Sequence, residues 1–166
     1  MNASRNKAAQ KLRMTSSGFT LIELMVTIAV LAIIVGIAAP NVSAQLAQNQ
    51  VKSTSTVVQT SIARAKSESA ISRNTIVWEY DDTNDLITLV NNGNTLASYN
   101  LSSNSSLTFN PATVTTLSIS KEGNITTPTG GAVNLAIDIR DTRAGATTQR
   151  VRVNTKRAFE CSGTNC

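Results

Sequence analysis

From Phe19 to Ala39 the chain runs through 21 positions of which only Thr20, Glu23 and Thr27 are clearly polar. At about 1.5 Å per residue, a helix of that length crosses a hydrocarbon core of about 30 Å. Pro40 lacks an amide hydrogen, so the spacing predicts a kink or local break there. Apolar residues then return every three or four positions, at Val42, Leu46, Val51, Val57, Val58, Ile62, Ala65 and Ile71. That period predicts an amphipathic helix over 40–74. Its high Ser and Thr content means that packing, rather than intrinsic propensity, must hold it. After Asn74 the period shortens towards two. The segments TIVWEY, DLITLV, SSLTFN, TTLSIS, VNLAIDI and QRVRVNT read as short strands. NNGN at 91–94 and KEGN at 121–124 read as turns, and TPTGG at 127–131 as a loop. One long N-terminal helix followed by about six strands predicts an α+β fold. In it, a transmembrane half and an amphipathic half precede an antiparallel β-sheet head over 75–166. Trp78 belongs to core or sheet-edge packing rather than to a ligand platform.

Charge and composition narrow the function. The net charge of +5 includes Arg5, Lys7, Lys11 and Arg13, all ahead of the apolar run. Without that leader eleven basic residues face ten acidic ones, so the overall charge argues for no anionic partner. The chain has no histidine, which removes the commonest general base and metal ligand. No Ser or Cys has a paired base and no carboxylate pair has a defensible geometry, so no enzyme, metal or cofactor is implied. Asp81, Asp82 and Asp85 in YDDTND read as a polar turn, with weak calcium binding as the alternative. Cys161 and Cys166 are the two cysteines, and in an exported domain an intramolecular disulfide is their natural pairing.

Glu23 is the residue that a plain signal anchor does not explain, because a carboxylate in a membrane helix is costly and waits for a partner. Gly18 through Pro40, G-FTLIELMVTIAVLAIIVGIAAP, resembles the type IV pilins and the related type II secretion pseudopilins. The resemblance implies the type IV pilin fold, with residues 1–18 as a prepilin leader. It implies that prepilin peptidase cuts after Gly18 and methylates the new N-terminus, Phe19. It implies further that Glu23 pairs with the terminal amine of a neighbouring subunit during assembly, with Phe19 and Pro40 also in the assembly segment. A buried carboxylate matched to a positive charge imposes register on a bundle, which agrees physically. The basic leader favours a cytoplasmic N-terminus and a periplasmic head on an inner-membrane, single-pass precursor. For the same reason Met1 is preferred to Met14 as the start.

The strand-rich second half is similar to the minor pilin group that includes FimT, FimU and the pseudopilin GspH. The segments carrying this are SLTFNPATVTTLSISKEGN and VNLAIDIRDTRAGATTQRVRVNTKRAFEC. The resemblance implies a minor pilin at or near the tip of a fibre, helping to initiate assembly. Its partners would be other major and minor pilins and the inner-membrane assembly machinery. Residues 140–157 carry Arg140, Arg143, Arg150, Arg152, Lys156 and Arg157 against one acid, Asp141. Arg150 and Arg152 share one side of a strand, opposite Val151 and Val153. Such a face can grip phosphates of double-stranded DNA without reading bases. The alternative is a solvated face whose arginines pair with acids. Three roles therefore stand: a minor pilin in assembly, a DNA-receptor pilin for natural transformation, and a secretion pseudopilin.

Overall fold

The computed structural model describes residues 18–143 and 147–161, without the side chains of 38–40. A single helix, α1 (Leu21–Ser72), is followed by nine strands. These are β1 (Ile76–Asp81), β2 (Leu86–Asn91), β3 (Asn94–Asn100), β4 (Ser105–Asn110), β5 (Thr116–Ile119), β6 (Ile125–Thr126), β7 (Asn134–Asp141), β8 (Gln149–Asn154) and β9 (Ala158–Cys161). The architecture is α+β, as the pattern predicts. The local break expected at Pro40 does not divide the helix, since 52 residues form one element. The chain resolves into two compact units, Met1–Ala38 and Ala39–Cys166.

In the second unit the single sheet expected from the sequence is two. One has the order β3-β2-β1-β5-β6 and the other β4-β7-β8-β9. Every pairing is antiparallel. Asn92 and Gly93, at φ +48° and +82°, make the two-residue turn that opposes Asn91 to Asn94. Both turn positions need positive φ, which Asn and Gly tolerate best. That turn creates β3, a strand the alternation did not reveal. β6 and β9 were likewise invisible to it, being two and four residues long.

Both sheets and the helix share one core. Val51, Val58, Ile62 and Ala65 of α1 cluster with Ile76, Trp78, Leu89 and Leu117 of the first sheet and Ile137, Ile139 and Val151 of the second. The rings of Tyr80 and Phe109 meet across the sheets at 5.3 Å. The buried side of α1 is Ala47, Val51, Thr54, Ser55, Val58, Ser61, Ile62, Ala65 and Ser69. Val42, Leu46 and Ile71, expected in the stripe, are exposed. The hydroxyl residues replace them because their oxygens find partners at once. Ser61 and Ser69 donate to the Val58 and Lys66 carbonyls, each at 2.8 Å. Thr54 Oγ1 and Ser105 Oγ lie 3.0 Å apart across the helix–sheet contact. Trp78 is fully buried and donates its indole N–H to Ser61 Oγ at 2.8 Å.

Candidate functional site

Two regions carry the sequence-predicted site residues. The first is the start of α1. Gly18 and Phe19 precede the helix and Phe19 is 82% exposed. Thr20 caps α1: its Oγ1 accepts from the Glu23 amide at 3.2 Å and its carbonyl accepts from the Leu24 amide, also at 3.2 Å. Thr20-x-x-Glu23 is therefore the sequence signature of a capping box, with an acid in the first turn. The bond present is made by the Glu23 backbone amide. The apolar half of α1 is long and hydrophobic enough to cross a membrane, and its large side chains from Leu21 to Ile37 are exposed. Pro40 lies within the helix.

The second region is the outward face of β7, β8 and β9. Asp138 stands directly opposite Arg150, and Ala136 opposite Arg152. Arg150 meets Asp138 with two bonds, Nε to Oδ1 at 2.6 Å and Nη2 to Oδ2 at 2.9 Å. This fork holds the Asp138 carboxyl below the usual carboxylate range. Arg143 does the same to Asp141, with Nε to Oδ1 at 2.8 Å and Nη2 to Oδ2 at 2.7 Å, and lowers that carboxyl too. The Asp141 side chain is fully covered. Arg152 Nη1 donates to Asn134 Oδ1 at 3.1 Å. Lys156 Nζ donates to Asn124 Oδ1 at 2.7 Å, and the Arg157 guanidinium lies over the Phe159 ring at 4.8 Å. Arg140 is exposed on β7.

The six basic residues thus do not form one patch of equal charges. Arg143 and Arg150 are spent on carboxylates, Arg152 is bonded to Asn134, and Lys156 and Arg157 contact an amide oxygen and a ring. Asp138 lies two residues before the basic run, which is why counting charge within the run overlooked it. The register of two alternating strands would have revealed the pair, since Asp138 and Arg150 face each other only when Ile139 opposes Gln149. Lys66, which the sequence reading did not single out, joins this end of the head by donating to the Lys156 carbonyl. Cys161 ends β9, while Cys166 and with it the expected disulfide lie outside the described residues.

The YDDTND segment is a closed polar turn. Asp81 Oδ1 accepts from the amides of Thr83 at 2.9 Å and Asn84 at 3.3 Å, and its Oδ2 from Asn84 Nδ2 at 2.6 Å. These bonds, the Asn84 side chain foremost, lower the Asp81 carboxyl. Asp85 accepts from the Tyr80 hydroxyl at 3.2 Å. Burial first, then this carboxylate, pushes that hydroxyl up to about 12. Among the described residues no group of three or more His, Cys, Asp or Glu is placed to hold a metal.

Comparison with known proteins bears on the fold and on the first region. The structure of the type IV minor pilin FimU from Pseudomonas aeruginosa superposes with a TM-score of 0.56, over 68% of this chain and 89% of that one, at 14% identity. The chain has the type IV pilin fold. Residues 13–39 match the family described as the prokaryotic N-terminal methylation motif, a span that holds Gly18, Phe19 and Glu23. The minor pseudopilin EpsH of the Vibrio cholerae Type 2 Secretion System gives a TM-score of 0.48 at 11% identity, over 68% of this chain and 96% of that one. No curated protein matches the sequence.

Proposed function

We propose that this pilin-fold chain is a minor pilin, built into a type IV pilus at or near its tip and contributing to the initiation of assembly. The observation that carries the reading is the methylation motif over 13–39 running into the helix of a pilin fold. In this reading prepilin peptidase removes residues 1–18 and methylates Phe19. Glu23 meets the terminal amine of the adjoining subunit, and the apolar side chains from Leu21 to Ile37 exchange lipid for neighbouring helices. A charged pair inside that bundle fixes axial register, since any other stagger strands a carboxylate in an apolar environment. The Cys161–Cys166 bridge closes the end of the head once it is exported. The test is deletion of the gene, followed by counts of surface pili and restoration with Glu23→Ala. Normal piliation in the deletion strain would refute the reading.

A second reading, DNA capture during natural transformation, is favoured by one observation. Lys156 and Arg157 contact an amide oxygen and a ring rather than carboxylates, which leaves their charges uncompensated. Phosphate binding would fall steeply with salt. Loss of DNA uptake in a Lys156→Gln, Arg157→Gln strain that still makes pili supports this reading. Unchanged uptake in that strain removes it.

A further inference from the structure

A cleft of about 140 Å³ lies between α1 and β9, walled by Gln59, Ile62, Ala63, Lys66, Arg157 and Ala158. Its cations come from two elements: Lys66 from the helix and Arg157 from the turn ahead of β9. Lys66 is held at the far end of its side chain. Its ammonium donates to the Lys156 carbonyl, 90 positions away in sequence. Its stem lies against Gly123, where a Cβ would come within 3.3 Å of Lys66 Cε and where φ is +74°. Among the described residues neither Lys66 nor Arg157 forms an ion pair, whereas Arg64, Lys121, Arg143 and Arg150 each do. The cleft therefore presents two uncompensated charges, one of them fixed in advance of any ligand, which lowers the ordering cost of binding.

Size and lining select the ligand class. Pockets for ligands the size of drugs or cofactors begin at roughly 300 Å³, about twice this volume. A carboxylate on a short alkyl stem fits this space. Ile62, Ala63 and Ala158 give an apolar floor that suits side-chain methylenes and offers a phosphodiester nothing. Glu160 stands beyond the Gln59 end, engaged by Gln59 at 3.4 Å and by Gln149. Its charge directs an incoming carboxylate to the opposite end, between Lys66 and Arg157. We propose that this cleft receives an acidic side chain of an adjoining protein subunit.

The proposal rests on the fibre-subunit reading for its adjoining subunit but is tested without fibres, so the two fail separately. The full chain in detergent is treated with acetic anhydride, and acetylation at each lysine is followed by mass spectrometry. The probe is a hexaglutamate peptide with blocked ends, titrated in parallel with a duplex DNA oligonucleotide. The peptide is expected to protect Lys66 while leaving Lys52 reactive. Arg157→Gln is expected to raise the concentration for half-protection about tenfold, and Arg64→Gln to leave it within about twofold. Each of three results overturns the proposal. They are equal protection of Lys52 and Lys66, protection indifferent to Arg157→Gln, and protection of Lys66 by duplex DNA at lower charge concentration than by the peptide.

Discussion

Ser61→Ala isolates the contact on which the helix and the first sheet meet. In the native head the Ser61 hydroxyl donates to the Val58 carbonyl and accepts the indole N–H of Trp78, both at 2.8 Å and both without solvent exposure. Removing one oxygen takes away little apolar packing, yet leaves the Trp78 donor buried and unpaired. An orphaned buried donor costs about 1–3 kcal/mol. For a domain of this size that corresponds to a fall in Tm of roughly 3–10 °C. Trp78 is the chain's one tryptophan, so its emission during thermal or urea unfolding reports the transition at the site itself. The decisive control is Trp78→Phe, which removes the donor; because it also removes the fluorophore, all four proteins are compared by circular dichroism. In that background Ser61→Ala should cost less than about 0.5 kcal/mol, because no orphan remains to be created. A Ser61→Ala effect of the same size in both backgrounds would refute the hydrogen-bond reasoning. It would assign the loss to cavity or helix effects instead.

Other perturbations have distinct signatures. Ile62→Ala empties a fully buried position between the helix and both sheets and should cost about 2–5 kcal/mol, read as the shift in urea midpoint. Leu46→Ser changes an exposed residue, so unfolding of the chain should move by less than about 0.5 kcal/mol in urea melts, while under the proposed function its recovery in sheared pili should fall. The Asp138 carboxyl is lowered in the folded state, so its contribution is present above the ordinary carboxylate range and disappears as pH falls through the depressed value. The stability gap between the native chain and Arg150→Gln should therefore be open at neutral pH and close once the pH has fallen well below the ordinary carboxylate range; a gap unchanged across that descent would count against the pair. Tyr80 shows the opposite sign. Its hydroxyl is raised to about 12, so the folded state keeps a proton that the unfolded chain loses near pH 10, and stability falls from there upwards. Tyr80→Phe should flatten that alkaline loss, and absorbance titration of the two tyrosines should show one of them delayed.

What the sequence disclosed followed from long, repeated signals. The apolar run from Phe19 and the alternation in VNLAIDI and QRVRVNT are each carried by several residues pointing one way. The helix stripe was legible only in part. Val51, Val58, Ile62 and Ala65 are buried as their spacing implies, but Thr54, Ser55, Ser61 and Ser69 share that side. A hydrophobicity pattern cannot see a hydroxyl that satisfies itself on the turn before it. The split of the strands into two sheets was hidden because it depends on which strands pair. Pairing is a long-range choice made by the core rather than by any one segment. The basic region shows the same limit. Composition supplied its residues, whereas neutralisation of Arg150 by Asp138 required the register of β7 on β8, and the place of Lys66 required tertiary structure.

The hydroxyl-rich side of α1 also sets how this molecule moves. Between Ala47 and Ser69, eight of 23 residues are Ser or Thr, poor helix formers that on their own would leave the segment frayed in water. Four of them, Thr54, Ser55, Ser61 and Ser69, are buried on the side that packs into the shared core, so the hydrogen bonds of that stretch borrow their lifetime from the strands. Amide protons near Val58 and Ile62 should exchange with solvent at the pace of those in β1 and β8, through opening of the whole head. The stretch from Ala47 to Ser69 and the two sheets then keep a single cooperative clock, and that stretch does not outlive the strands it packs against.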